Sequence, residues 1–360
     1  MRGLYIHLPF CISKCPYCDF VSYMGKLPLA KTYLDCVLKE AQGYAGERLE
    51  TLYLGGGTPT CVETGLLLSF LKRLKSLFVF PEDMEFTIEA NPATIDSEKL
   101  CAYRTAGINR LSLGAQSFQP ALLRTLGRLH RPEDVYRGVQ DALSAGFQNI
   151  SLDLMFSLPG QTLQDWQADL QAAASMEITH LSCYGLKIEP GTPFFRKGIQ
   201  PLEEDTDRAL YHFAVSYLPK QGFEQYEISN FARRENYSHH NLLYWQCREY
   251  IGLGAGAHSY VNGSRYYNTG NLDQYINDIQ TGGTGRSETI TLTARDRLVE
   301  RFIMGMRLCR GVEETVFYAL DGKDKLERYL SAGFLQRNQD KISFTTKGFD
   351  VSNTILADFL

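Results

Sequence analysis

Three cysteines, Cys11, Cys15 and Cys18, stand close together in the string Cys11-Ile12-Ser13-Lys14-Cys15-Pro16-Tyr17-Cys18. Pro9 and Pro16 discourage a helix there, so the three thiols can converge from one loop on a soft metal centre. Three thiolates leave one coordination position of such a centre unfilled. Two chemistries answer to that: an iron–sulfur cluster with one iron open to an exchangeable ligand, or a zinc site that borrows a fourth ligand. His7 is the nearby candidate for that fourth ligand, although its place on the preceding strand directs it elsewhere. The other cysteines, Cys36, Cys61, Cys101, Cys183, Cys247 and Cys309, show no metal spacing and read as small buried or part-buried hydrophobes. Nine cysteines in 360 residues are too few and too uneven for a disulfide scaffold, which implies a reducing compartment.

A second feature is Gly55-Gly56-Gly57-Thr58-Pro59, where missing side chains let the backbone approach a ligand and Thr58 adds a hydroxyl. No Gly-Lys-Ser/Thr follows, so this is not a nucleotide-binding P-loop. The later run Gly254-Ala255-Gly256-Ala257-His258-Ser259-Tyr260 lacks the full G-x-G-x-x-G pattern, and dinucleotide binding is not expected from it.

These residues need a scaffold. Short β-rich runs at Leu4–Leu8, Thr51–Leu54, Glu85–Glu89, Arg110–Gly114, Asn149–Met155 and His180–Ile188 alternate with amphipathic stretches near Leu29–Tyr44, Thr64–Leu77, Asp96–Ala106, Pro132–Ala145 and Thr162–Ser175. Thr162 with Asp165 is a plausible capping pair. The pattern predicts an α/β chain built on an incomplete six-stranded βα barrel. Polar or glycine-rich residues follow the apolar runs at Gly55–Thr58, Glu89–Asn91, Gln116 and Pro159–Gly160, which is the edge where parallel sheets bind ligands.

After Gly191 the regularity stops, and Glu203–Lys220 leads into Tyr226–Tyr260, an elaborated region expected to cover the site. From Thr293 the tail reads helix, helix and then two short β-type runs within Phe334–Phe344, split by Asn338-Gln339-Asp340, like a small winged-helix module. The expected domains are residues 1–200, the partial barrel; 201–285, an α+β extension; and 286–360, the winged-helix-like module.

Charge narrows the functions. Lys plus Arg number 37 and Asp plus Glu 41, a net of −4, and Thr291–Leu360 holds eleven basic against ten acidic residues, so the wing carries no electrostatic footprint for nucleic acid. A 44% hydrophobic content suffices for a substantial core and excludes disorder as the main state. The apolar stretch around Leu66–Leu71 is cut by Lys72, Arg73 and Lys75, well short of the ~20 residues a bilayer needs. Met1–Cys11 lacks the pattern of a signal peptide, so a cytoplasmic protein is expected.

The C-x3-C-x2-C loop after a first strand resembles that of the radical S-adenosylmethionine superfamily. The resemblance implies a 4Fe-4S cluster on Cys11, Cys15 and Cys18, whose open iron is chelated by the amino and carboxylate groups of S-adenosylmethionine. An electron from the cluster then cleaves the sulfonium bond to a 5′-deoxyadenosyl radical; the cofactors carry the difficult chemistry and the protein positions them.

Tyr5-Ile6-His7-Leu8-Pro9-Phe10-Cys11, Cys18-Asp19-Phe20, Gly55-Gly56-Gly57-Thr58-Pro59-Thr60, Glu89-Ala90-Asn91-Pro92 and Gly114-Ala115-Gln116-Ser117-Phe118 narrow the likeness. They are similar to the family that joins oxygen-independent coproporphyrinogen III oxidases with haem chaperones, over nearly the whole chain. That resemblance implies S-adenosylmethionine contacts from Tyr5, from the loop Gly56, Gly57 and Thr58, and from the polar groups Glu89, Gln116, Arg128 and Asp153. Arg128 suits a carboxylate, and Lys187 falls at a position that contacts through its backbone.

Two features separate the branches. The oxidases carry an N-terminal segment that helps close the site over the porphyrinogen, whereas this sequence starts ten residues before Cys11. His240-Asn241-Leu242-Leu243-Tyr244-Trp245 matches the H-N-x-x-Y-W motif that marks the haem chaperones. On that resemblance His240 is the candidate axial haem ligand, with Tyr244 and Trp245 offering flat apolar surface and His239 and His258 as competing ligands.

The favoured expectation is therefore a haem-binding, haem-delivering protein with an S-adenosylmethionine-coordinating cluster. The alternative is an oxidoreductase of porphyrin biosynthesis that decarboxylates two propionates of coproporphyrinogen III, giving protoporphyrinogen IX. Expected partners are haem or coproporphyrinogen III, a low-potential electron donor of flavodoxin or ferredoxin type, and haem-acceptor proteins, respiratory ones among them. Peripheral contact with a membrane-bound acceptor and a homodimer both stay open. Nucleic acid is not expected, which also disfavours an RNA-modifying radical enzyme.

Overall fold

Leu4, Ile6 and Leu8 are fully buried at every second position of β1 (Arg2–Leu8), while Tyr5 and His7 face the other way. The same alternation recurs in β2 (Leu49–Gly56), β3 (Glu85–Ala90), β4 (Arg110–Gln116), β5 (Asn149–Phe156) and β6 (His180–Gly185). Leu52, Leu54, Phe86, Ile88, Leu111, Leu113, Leu152, Leu154 and Leu181 join one apolar core, which also takes in buried residues of the connecting helices. The opposite face of the six strands carries a polar set, Thr51, Tyr53, Thr87, Glu89, Arg110, Ser112, Ser151, Asp153, His180 and Ser182. Strand alternation thus builds a greasy outside that helices cover and a polar inside that a ligand can occupy.

The computed structural model describes residues 1–360. β1 to β6 run parallel in chain order. The connecting helices are α1 (Ala30–Ala41), α2 (Thr64–Lys75), α3 (Ser97–Thr105), α4 (Pro132–Ser144) and α5 (Leu163–Ala174), and α6 (Glu204–Tyr217) follows β6. Thr162 and Asp165 cap α5 reciprocally, as the sequence predicts. β6 ends at Gly185 rather than Ile188, because its neighbour β5 ends opposite it at Phe156.

The six parallel strands of the expected partial barrel are present, and the α+β extension joins them: β9 (Tyr250–Leu253) pairs in parallel with the free side of β1 and lengthens the sheet. Ile251 and Leu253 complete the outer core there. Antiparallel strands follow: β7 (Glu224–Gln225) and β8 (Asn230–Ala232) beyond β6, and β10 (His258–Val261), β11 (Ser264–Asn268) and β12 (Arg286–Thr291) beyond β9. The result is one twelve-stranded sheet in the order β12-β11-β10-β9-β1-β2-β3-β4-β5-β6-β8-β7. No helix is long and apolar enough to cross a membrane.

The tail has its own core of Phe302, Val316, Phe317, Leu326, Leu335, Ile342, Phe344 and Phe359 among others. Three helices, Ala294–Gly305, Glu314–Ala319 and Lys323–Ser331, precede the hairpin, one more than the sequence suggests, and Val312–Glu313 adds a third strand to it. Gln339 takes a left-handed conformation at the tip, the turn that Asn338-Gln339-Asp340 announces.

Candidate functional site

The cysteine loop leaves the sheet at the C-terminal end of β1. Its base is closed by a short parallel pairing of Phe10–Cys11 with Tyr23–Met24. His7 fastens it further: Nε2 donates to the Val21 carbonyl at 2.7 Å, leaving Nδ1 to accept from the Tyr5 hydroxyl at 2.9 Å. Both ring nitrogens are engaged, and burial lowers the imidazole pKa to about 4. His7 is therefore a fastening of the loop and not a fourth metal ligand.

Cys11 is buried while Cys15 and Cys18 are partly exposed, and all three are free thiols. The Cys18 amide donates to the Cys15 carbonyl at 3.1 Å, a tight turn that draws these two side chains together. Lys14 donates to the carbonyls of Phe20 and Ser22 and holds the far side of the loop.

Directly against it runs the glycine loop. The Gly57 amide donates to the Leu8 carbonyl at 2.9 Å and the Thr58 amide to the Phe10 carbonyl at 2.8 Å, while the Thr58 hydroxyl lies 3.8 Å from Sγ of Cys11. Glycine is required on steric grounds: a Cβ on Gly57 would sit 2.6 Å from the Phe10 carbonyl oxygen, and one on Gly56, at φ +112°, within 2.9 Å of the His7 ring.

The carboxylate of Glu89 accepts from the Gly56 amide at 3.1 Å and from the Tyr53 hydroxyl at 2.9 Å. Burial raises its pKa to about 7, with Asp153 pushing the same way and Tyr53, Gly56 and Arg110 working against it. Asp153 accepts from the Ser112 hydroxyl, and burial raises its pKa too. On β4 a register shift between Gly114 and Gln116, with Gln116 at φ 65°, forms a bulge that re-aims Gln116 at the strand end.

Arg128 bridges that bulge to the cysteines. Nη2 donates to the Gly114 carbonyl at 2.6 Å, Nη1 lies 3.7 Å from Sγ of Cys15, and Nε is buried without a partner. Thr58 and Arg128 thus lie beside the thiols of Cys11 and Cys15, and Glu89 and Gln116 stand at the C-terminal ends of β3 and β4. The Lys187 side chain is exposed in the loop after β6 and makes no hydrogen bond.

The H-N-x-x-Y-W motif lies elsewhere. It forms α7 (His239–Trp245), which crosses the N-terminal end of the barrel like a plug. Glu85 at the start of β3 accepts from the backbone amides of His239 and His240 at 2.9 Å each, and Ser238 caps the helix. Leu243 and His240 press on β1 so closely that a Cβ on Gly3 would stand 2.5 Å from Leu243.

His240, the expected haem ligand, is fully engaged within the fold. Its Nδ1 lies 2.7 Å from the Thr51 hydroxyl, its Nε2 2.8 Å from the Tyr244 hydroxyl, and its ring stacks on Tyr53 with centroids 5.0 Å apart. The residue is 1% exposed, and burial, helped by the charge of Arg110, lowers its pKa to about 3. Neither nitrogen is open to an iron. Tyr244 packs edge-on against His240 and Tyr250 and offers no flat open face.

Sequence reasoning missed Arg110 and Tyr53. Arg110 is 2% exposed, its Nε has no partner, and its charge acts on Glu89, Asp153, His180 and His240 at once. The available signal was polar residues at every second position of otherwise apolar strands: Thr51-Leu52-Tyr53, Thr87-Ile88-Glu89, Arg110-Leu111-Ser112 and Ser151-Leu152-Asp153.

The residues present fit a thiolate-bound cluster and a zwitterionic ligand. Three thiols share one loop, backbone stripped of side chains adjoins them, and the charge of Arg110, whose buried Nε is unpaired, acts on the carboxylates of Glu89 and Asp153.

Comparison with known proteins agrees with that chemistry. Residues 5–173 match the radical SAM superfamily. The whole chain is 35% identical to the haem chaperone HemW of Bacillus subtilis, spanning 99% of that protein, and 32% identical to its Escherichia coli namesake over 99% of this chain and 98% of that one. Radical S-adenosyl methionine domain-containing protein 1 of mouse mitochondria is 31% identical over 99% of this chain and 87% of its own. Among solved structures, coproporphyrinogen III oxidase (HemN) from Escherichia coli superposes with a TM-score of 0.88 at 23% identity, over 99% of this chain and 89% of that one, a likeness of fold.

Proposed function

Because the chain belongs to the radical SAM superfamily and, within it, to the family of the haem chaperone HemW, we propose that it binds haem and delivers it to haem-requiring proteins, and that it carries an S-adenosylmethionine-coordinating 4Fe-4S cluster. The observation that carries this reading is whole-length identity above 30% to proteins of that name, against a fold likeness alone to the oxidase.

In this proposal Cys11, Cys15 and Cys18 hold the cluster. Gly56, Gly57 and Thr58 present backbone and hydroxyl to the amino-acid part of S-adenosylmethionine, Arg128 pairs with its carboxylate, and Glu89, Gln116 and Asp153 take its amino and hydroxyl groups. Tyr5 closes that layer from below and the Lys187 backbone approaches from the rim. Bound together, cluster and S-adenosylmethionine supply one-electron chemistry that no side chain of this protein could. The protein's part is to fix the loop through His7, keep Glu89 and Asp153 near the charge of Arg110, and close the floor with α7. A low-potential donor of flavodoxin or ferredoxin type and haem acceptors of the respiratory class are the proposed partners.

The decisive experiment is anaerobic. Cluster-reconstituted protein is incubated with S-adenosylmethionine, a strong reductant and coproporphyrinogen III, and separately titrated with haem. Stoichiometric haem uptake without protoporphyrinogen IX is expected; formation of protoporphyrinogen IX would replace this reading with the oxidase.

A further inference from the structure

With His240 closed off, the question of which residue could meet a haem iron returns to the other six histidines. His7 uses both nitrogens on Tyr5 and Val21. His180 uses both on Ser151 and Tyr226 and is fully buried. His130 bonds the Ala115 carbonyl and is 3% exposed, so its second nitrogen is beyond the reach of a macrocycle. His212 is paired with Asp350 of the tail at 2.9 Å. Only His239 and His258 are exposed with no hydrogen bond on the ring.

These two lie at opposite ends of the barrel. His239 opens α7 at the floor, whereas His258 begins β10 where the chain turns back from the C-terminal end of β9, the edge from which the cysteine loop rises. A seven-residue strand such as β1 separates the two ends by about 20 Å. The loop and the His258 segment are packed together: the side chain of Val21 fills the space beside Gly256 and Gly270, and Tyr23 donates to the Gly270 carbonyl at 2.6 Å.

Two further features suit an iron ligand. The His258 ring stacks on Tyr267 of β11, with centroids 5.2 Å apart and planes at 26°, and Tyr267 is in turn tied to Glu288 of β12. The ring is thereby oriented while its nitrogens stay free. Next to Val21 and Tyr23, Phe20 and Met24 are 65% and 58% exposed, apolar surface of the kind a porphyrin face covers.

We propose that His258, not His240, is the axial ligand to haem iron, with the macrocycle lying against the outer half of the cysteine loop; this rests on the haem-binding reading above. Partial burial and the charge of Arg265 lower the His258 pKa.

The test titrates the full-length, cluster-reconstituted protein with haemin. Wild type is compared with His258→Ala, His239→Ala and His240→Ala by Soret absorption and by the ferric haem EPR signal, with cluster iron and melting temperature as folding controls. The expected result is that His258→Ala alone loses the histidine-ligated signature and binds haemin at least ~10-fold more weakly, and that free imidazole restores the signature. His258→Ala with unchanged spectrum and affinity would overturn the assignment while leaving the haem-binding reading intact. Wild type that takes up no haemin would overturn both. If His258→Ala melts early, His258→Gln and Tyr267→Leu decide: the first must lose the signature and the second must broaden it, or the assignment fails.

Discussion

Nη1 of Arg128 lies 3.7 Å from Sγ of Cys15, while Nη2 of the same guanidinium is committed to the Gly114 carbonyl on the bulge of β4. One side chain therefore couples the cysteine loop to the strand end that aims Gln116. A planar five-donor group can serve both and still face a carboxylate with its remaining N–H groups; an ammonium cannot. Arg128→Lys is expected to weaken S-adenosylmethionine binding by roughly 10-fold or more with cluster iron little changed. Equilibrium binding by filtration and iron analysis on the same sample check this, and unaltered affinity would remove Arg128 from the ligand site.

Gly57 makes a steric prediction. An alanine there drives its methyl group into the Phe10 backbone, which cannot yield without moving Cys11. Gly57→Ala should keep the fold at a cost of about 1–3 kcal/mol, yet take up much less iron and sulfide on anaerobic reconstitution. Gly43→Ala, with open space around it, is the control that should do neither.

Glu89 gives the cluster-free protein a pH dependence. Its folded pKa of about 7 lies above the ordinary 4.5, so the folded chain holds a proton that the unfolded chain releases between those values. The stability this contributes is complete below about pH 4.5 and is lost as pH rises to about 7. Glu227, raised to about 7 by burial, works in the same direction. Glu89→Gln should therefore flatten the decline in melting temperature between pH 5 and pH 8 by part, corresponding to roughly 2–3 kcal/mol at most. An identical slope in the variant would show that Glu89 is ionised throughout.

The plug offers a prediction about stability. Thr51→Val keeps the volume at the floor but removes the hydroxyl bonded to His240 Nδ1, leaving a buried imidazole nitrogen unpaired. A loss of about 1–3 kcal/mol is expected in urea melts, with haemin affinity unchanged. A variant as stable as the wild type would mean that the nitrogen finds another partner.

Most of the scaffold was legible because the outer-face residues obey simple alternation. Leu52, Leu54, Phe86, Ile88, Leu111 and Leu113 announce β2, β3 and β4, with β3 and β4 starting as expected and β2 running two residues beyond Thr51–Leu54 at each end. β9 was not legible: four residues, Tyr250 to Leu253, carry too little pattern, and their pairing with β1 is a contact across more than two hundred positions. The cysteine and glycine loops were readable from spacing, since their chemistry is local in sequence. The surroundings of His240 were illegible for the opposite reason. Its motif identifies relatives, but the partners that occupy its nitrogens, Thr51 and Tyr244, come one from a distant strand and one from the next turn of its own helix. Arg110 was invisible as a site residue because a lone arginine on a strand gives no hint that its charge reaches Glu89 and Asp153.

The helix across the base of the barrel has a consequence for traffic. With Glu85, Gly3 and Thr51 all committed to it, that end offers no passage, so everything that reaches the interior must use the opposite mouth. On the proposed function, nucleoside cofactor and electron carrier would approach that one mouth, and the cargo would lie against the cysteine loop at its rim. Whichever occupies it first delays the others, and the order of arrival becomes a property that the architecture imposes before any chemistry begins.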